Sequence, residues 1–159
     1  DEIRIIEFSS RIGGGSKHHL IRMARNFDYL AYVVDYCLGR LGELRLAGAE
    51  RYLSCQYVYA QPGVVGSFGG FEECRDEGLI LDYYLYCSTG SRIAGNDSSS
   101  HRPAGYIVEA PAWTDLQRRV SASDRRVRIY DADGKDLMIH GLFFGKRPVT
   151  DGRNDGEKI

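Results

Sequence analysis

Residues 16–44 read SKHHLIRMARNFDYLAYVVDYCLGRLGEL, and the spacing of their apolar side chains governs how the rest of the chain is understood. Leu20, Ala24, Phe27, Ala31, Val34, Leu38 and Leu41 recur at helical intervals, with Met23, Leu30, Cys37 and Leu44 beside them. Polar Arg22, Arg25, Asn26, Asp28 and Asp35 fall elsewhere on the same wheel. The pattern predicts one long helix of about six turns, started by Ser16, whose hydroxyl can accept from a first-turn N–H. Gly39 and Gly42 weaken its end. A stripe of this kind is expected to pack on a sheet.

From Tyr52 onward the period changes from helical to alternating, and β-formers dominate. Strands are predicted at Tyr52–Tyr59, at Leu79–Cys87 (LILDYYLYC), at Tyr106–Ala110 before Pro111, and at residues 126–130 and 137–144. Asp131-Ala132-Asp133-Gly134 reads as the hairpin turn between the last two. Gln61–Gly70 and Ser88–Gly105 read as loops, and Asp115–Val120 as at most a short helical turn, with Trp113 packed beneath the sheet edge. The expected architecture is α+β: a long N-terminal helix on an antiparallel sheet, one domain over residues 1–159, with 1–15 and 150–159 peripheral.

Composition excludes several classes. The chain has 159 residues, 43% apolar, with 11 Tyr, which rules out a disordered or collagenous protein. No apolar run approaches the length of a membrane span, so no membrane partner is expected. A net charge of −1 argues against gripping long duplexes by charge alone. Arg118, Arg119, Arg125, Arg126 and Arg128 nevertheless crowd into eleven positions, either a solvated face or an anion site. Cys37, Cys55, Cys74 and Cys87 form no CxxC pair, which disfavours zinc ribbons. An even count permits two disulfides and suggests a secreted protein, while Cys37 could equally be a buried free thiol. His18 and His19 lack partners at metal-ligand spacing and are expected to be solvated.

Cleavage of RNA by transphosphorylation needs a base for the 2′-hydroxyl, an acid for the leaving oxygen and a cation for the phosphorus oxygens. Glu109, Arg125 and His140 offer those three chemistries on consecutive predicted elements, at separations of 16 and 15 residues. Their surroundings are Tyr106-Ile-Val-Glu-Ala-Pro111, then Ser123-Asp-Arg125, then a His ending a strand after a Gly hairpin. This run resembles the microbial guanyl-specific ribonucleases, the group of barnase, the fungal ribonucleases and the ribotoxins.

The resemblance implies Glu109 as general base, Arg125 as phosphate ligand and His140 as general acid. It implies metal-free and cofactor-free cleavage of single-stranded RNA after guanine, in a secreted monomer that an inhibitor or host protein could bind. The family's recognition loop corresponds to Arg92–Asp97, where Arg92, Asn96 and Asp97 would meet the base. An ordinary Asn-Asp turn is the competing reading there. Tyr86 and His101 are further candidate substrate contacts. The family's fungal branch carries an additional His on the strand before that loop, and Leu79–Cys87 has none. The alternatives are a catalytically idle ribonuclease-like effector that binds RNA or a host protein, and an unrelated α+β binding domain.

Overall fold

The computed structural model describes residues 13–40, 42–48, 51–95, 98 and 101–143. Helices and antiparallel strands are mixed along the chain, so the α+β class holds. The helices are α1 (Lys17–Arg25), α2 (Tyr29–Cys37), α3 (Phe71–Asp76) and α4 (Trp113–Asp124). The strands are β1 (Tyr52–Val58), β2 (Gly63–Val64), β3 (Ser67–Gly69), β4 (Asp82–Leu85), β5 (Arg92–Ile93), β6 (Ala104–Ala110) and β7 (Arg128–Tyr130).

The expected long helix is two short ones. Asn26 adopts a left-handed conformation (φ 47°) that closes α1, and the Asp28 side chain accepts from Ala31 N–H at 3.0 Å to start α2. Asn tolerates left-handed φ and Asp is a strong N-cap, so local chemistry breaks the helix despite an unbroken apolar period. Neither helix holds a fully buried residue, and Val34 and Leu38 are 56% and 58% exposed.

The helix that covers the core face is α4, in a stretch where the sequence suggested at most one turn. Its Leu116 and Val120 are buried in the same core as Tyr106, Val108 and Ala110 of β6. Trp113 at its start meets Tyr52 edge-on at 6.1 Å, in keeping with a packing role at the sheet edge.

β6 is the middle of a three-stranded sheet, order β1-β6-β4, antiparallel throughout. Because side chains alternate across a strand, the register divides the sheet into two faces. One face carries Tyr106, Val108 and Ala110, and α3 adds Phe71 and Cys74 to it and α4 adds Leu116 and Val120. The other face carries Leu53, Cys55 and Tyr57 opposite Glu109, Ile107 and Gly105, together with Asp82 and Tyr84 of β4. α1 lies over this second face: His19 stacks on Tyr84 with ring centroids 4.5 Å apart.

The expected C-terminal hairpin forms its turn without becoming a two-stranded ladder. Gly134 takes φ 80°, and Asp131 N–H bonds the Lys135 carbonyl at 2.9 Å. β7, however, pairs with β3, inside the stretch read as a Pro/Gly loop. Beyond the turn, single bridges join Asp136 to Tyr130 and Met138 to Ala60.

Val127 and Ile129 are fully buried. The four cysteines are free thiols: Cys37 is exposed, Cys74 is in the core, and Cys55 and Cys87 are half-buried. The expectation of disulfides is therefore corrected, and so is that of a buried Cys37. No helix among the described residues is long and apolar enough to cross a membrane.

Candidate functional site

Of the three residues expected to form one catalytic set, Arg125 and His140 meet the same C-terminal end of α4, and Glu109 stands on β6 with different partners. Glu109 projects from the α1 side of β6, and its carboxylate takes a hydrogen bond from Arg51 Nη1 at 2.8 Å. Arg51 also donates to the Met23 carbonyl in the last turn of α1. Arg125 ends α4 rather than opening a strand, and its Nη1 donates to Ser121 Oγ at 2.8 Å.

His140 packs on that same C-terminal end of α4. Its Nδ1 is 2.8 Å from the Asp124 carbonyl and its Nε2 is 3.0 Å from Asp136 Oδ2. Asp124 itself belongs to the core-facing helix and accepts from Gly141 N–H at 3.0 Å. Glu109 and His140 are thus associated with opposite faces of the sheet. Both nitrogens of His140 are already engaged, which leaves neither directed at an outside ligand.

The candidate recognition residues divide similarly. Arg92 sits exposed on β5, paired with Val64. Asn96 and Asp97 lie outside the described residues. His101 is half-buried, with its N–H on the Ser98 carbonyl at 3.1 Å. Tyr86 lines a developed cleft.

That cleft, of about 660 Å³, lies on the α1 side of the sheet. The segment Gly14-Gly15-Ser16 delivers the first turn of α1 into it, and Lys17, Arg102, Tyr57, Tyr84 and Tyr86 wall it. Gly15 has φ 76° and its α-carbon lies against the Tyr57 hydroxyl, so this close approach requires glycine. Gly105 does the same for the Tyr86 ring, whose hydroxyl a side chain there would strike.

Ser16 is buried, and its Oγ is 2.9 Å from Tyr86 Oη. The Ser16 side chain caps no N–H of the first turn, and no acidic residue sits in that turn. The open end of the helix therefore faces the cleft with its partial positive charge uncompensated by a carboxylate. His18 and His19, expected to be solvated, are half-buried in the cleft wall.

Electrostatics favour an anion here. Burial, the neighbouring His18 and Arg22 hold the His19 imidazole below its usual range, with Asp82 opposing. Burial raises the phenols of Tyr57, Tyr84 and Tyr86 and the thiol of Cys55, so all four keep their protons at neutral pH. Arg102 spreads its guanidinium over the Tyr57 ring at 4.3 Å and the Tyr59 ring at 5.3 Å. Its Nε is buried without an acceptor among the described residues. Protonated hydroxyls, two cations and an open helix end together make a donor-rich concavity. In the sequence, Arg11–Ser16 with its three consecutive glycines reads as a flexible connection; a Gly-rich loop entering a helix is the signal that points to this cleft. No group of His, Cys, Asp or Glu among the described residues is arranged to hold a metal ion.

No family model matches this chain, and no curated protein matches it. Among solved structures it is similar to the L-amino acid ligase from Bacillus licheniformis, with a TM-score of 0.60 and 17% sequence identity. The match covers 77% of this chain and 32% of the ligase, so the chain spans about one third of that protein's length. At this identity the similarity concerns the fold.

Proposed function

We propose that this chain is a phosphate-binding portion of a larger ligase-type enzyme. The observation that carries the reading is the Gly-rich turn that brings the open N-terminus of α1 into a cleft with Lys17 and Arg102. Helix N–H groups and two cations suit a phosphoryl oxygen, and the flanking tyrosines supply neutral donors and flat apolar walls. Joining amino acids in water requires converting a carboxylate into a better acyl donor. Phosphoryl transfer is a common way to do so, and it succeeds by positioning and charge stabilisation. The similarity to one third of an L-amino acid ligase supports a part of such a machine. Substrate and partner groups would then come from other segments.

The ribonuclease reading, active or idle, keeps the support of its local words at Glu109, Arg125 and His140. It also requires those side chains at one phosphate; Arg125 and His140 adjoin at the end of α4, while Glu109 is engaged by Arg51 elsewhere and has no geometric backing as their partner.

Titration with ADP and with inorganic pyrophosphate, followed by calorimetry, tests the proposal. Saturable binding that weakens about tenfold or more in Lys17→Ala and in Arg102→Ala is expected, as hydrogen bonds to charged groups are worth about 1.5–3 kcal/mol. Absence of binding would reject it. EDTA-resistant cleavage of a guanine-containing dinucleotide, lost in both Glu109→Gln and His140→Ala, would replace it with the ribonuclease reading.

A further inference from the structure

A second cleft, of about 530 Å³, lies where β6 ends, and its lining includes Arg51, Arg75, Arg119 and Glu109. Three guanidinium groups surround one carboxylate. Arg51 is the group that carboxylate neutralises, at 2.8 Å. Arg119 spends Nη1 on the Gly78 carbonyl at 2.9 Å. Arg75 lies over the Tyr83 ring at 5.4 Å and reaches Asp76 only through Nε at 3.5 Å. Two forks therefore retain N–H donors beside an apolar surface formed by the exposed Leu81 and Pro111. Convergent positive charge in a concave, partly apolar setting is favourable when an anion sits between the groups, and a planar fork matches a carboxylate best.

We propose that this cleft binds the carboxylate of a small molecule bearing an apolar side chain, held between Arg75 and Arg119 with its apolar arm on Leu81 and Pro111. Arg51 is kept out of the contact by Glu109, which also anchors the end of α1 through Arg51 and Met23. The inference is independent of the phosphate-binding proposal, because the two clefts share no lining residue.

The test is a titration of the protein with N-acetyl-L-leucine, with its amide and with inorganic phosphate, followed by NMR of the backbone amides. Saturable shifts centred on Gly78, Leu81 and Ala110 are expected with the acid and not with the amide. Arg75→Gln and Arg119→Gln, which remove charge while keeping a polar stem, should each weaken the acid about tenfold. Arg119→Gln retains a donor for the Gly78 carbonyl, so unchanged amide dispersion would show that the fold survives. Lys17→Ala should leave these shifts intact. Equal shifts with acid and amide would overturn the carboxylate assignment, as would binding of phosphate at least as tight as that of the acid. Shifts unaffected by both arginine variants, or none at all, would overturn the site itself.

Discussion

The Ser16 and Tyr86 hydroxyls, seventy residues apart in the chain, meet at 2.9 Å and fasten the Gly-rich turn to the end of the sheet. This contact leaves the Ser16 side chain unavailable as a helix cap and leaves the first turn of α1 facing the cleft. Tyr86→Phe removes the contact while keeping the ring. It should lower stability by about 1 kcal/mol, the net worth of one hydrogen bond. Pyrophosphate affinity should fall as well, because the loop is no longer held. Urea unfolding and calorimetry on the same variant check both, and a variant that binds as tightly as the parent would separate loop position from binding.

His19 makes the cleft sensitive to pH. Its folded-state pKa is held below the ordinary value of 6.5, so the folded protein disfavours its charged form. Its contribution to stability is complete above 6.5 and declines as pH falls below that value, where the unfolded chain takes up the proton first. A bound anion acts in the opposite sense by favouring the imidazolium. Pyrophosphate binding should therefore strengthen as pH falls from 7.5 toward and below the ordinary imidazole value of 6.5, with proton uptake on binding. Calorimetry in two buffers of different ionisation enthalpy measures that uptake, and His19→Gln should abolish most of it.

His140 ties the end of α4 to the segment after the turn at Gly134, through Asp124 and Asp136. Asp136 in turn pairs with Arg128 Nε at 2.9 Å, so the imidazole belongs to a structural bracket. His140→Ala should cost about 1–2 kcal/mol in unfolding free energy from two lost hydrogen bonds. Its effect should add to that of Glu109→Gln without coupling, because the two sites share no partner. A double-mutant cycle by urea denaturation gives the coupling. A large value, or loss of an RNA-cleaving activity with no loss of stability, would contradict the structural role.

Gly70 precedes α3 with φ 79°, and a Cβ there would run into the Arg126 carbonyl. Gly70→Ala combines a disfavoured backbone region with a collision against main chain that cannot swing away. It should destabilise the protein by about 2–4 kcal/mol, toward and above the upper end of the about 1–3 kcal/mol for a left-handed residue without a clash. Gly134→Ala offers the contrast: it has φ 80°, but open space surrounds it. Thermal melts of the two variants should differ by several degrees, with Gly70→Ala the lower.

Some of this was legible before any coordinates. Alternation and β-forming residues located β1, β6 and β7, because a half-buried strand imposes period two on its own sequence. Asp131-Ala132-Asp133-Gly134 announced its turn through the positive φ that Gly supplies.

Other features depend on packing that no local pattern encodes. The apolar period over residues 16–44 describes a helix wheel, but Asn26 and Asp28 end one helix and begin another, and α4 takes the core face. The modest apolar content of α4 hid it, since only a few of its residues reach the core.

The sequence by itself determined the α+β class, the alternating strands and the chemical types available at Glu109, Arg125 and His140. Only the tertiary structure decided which of those types meet. Glu109 and Tyr106 are three residues apart on one strand, so the pleat sends them to opposite faces, one toward α1 and the other toward α4. That division separates Glu109 from His140, and it gathers Ser16, Tyr57, Tyr86 and Arg102, distant in sequence, around a single cleft.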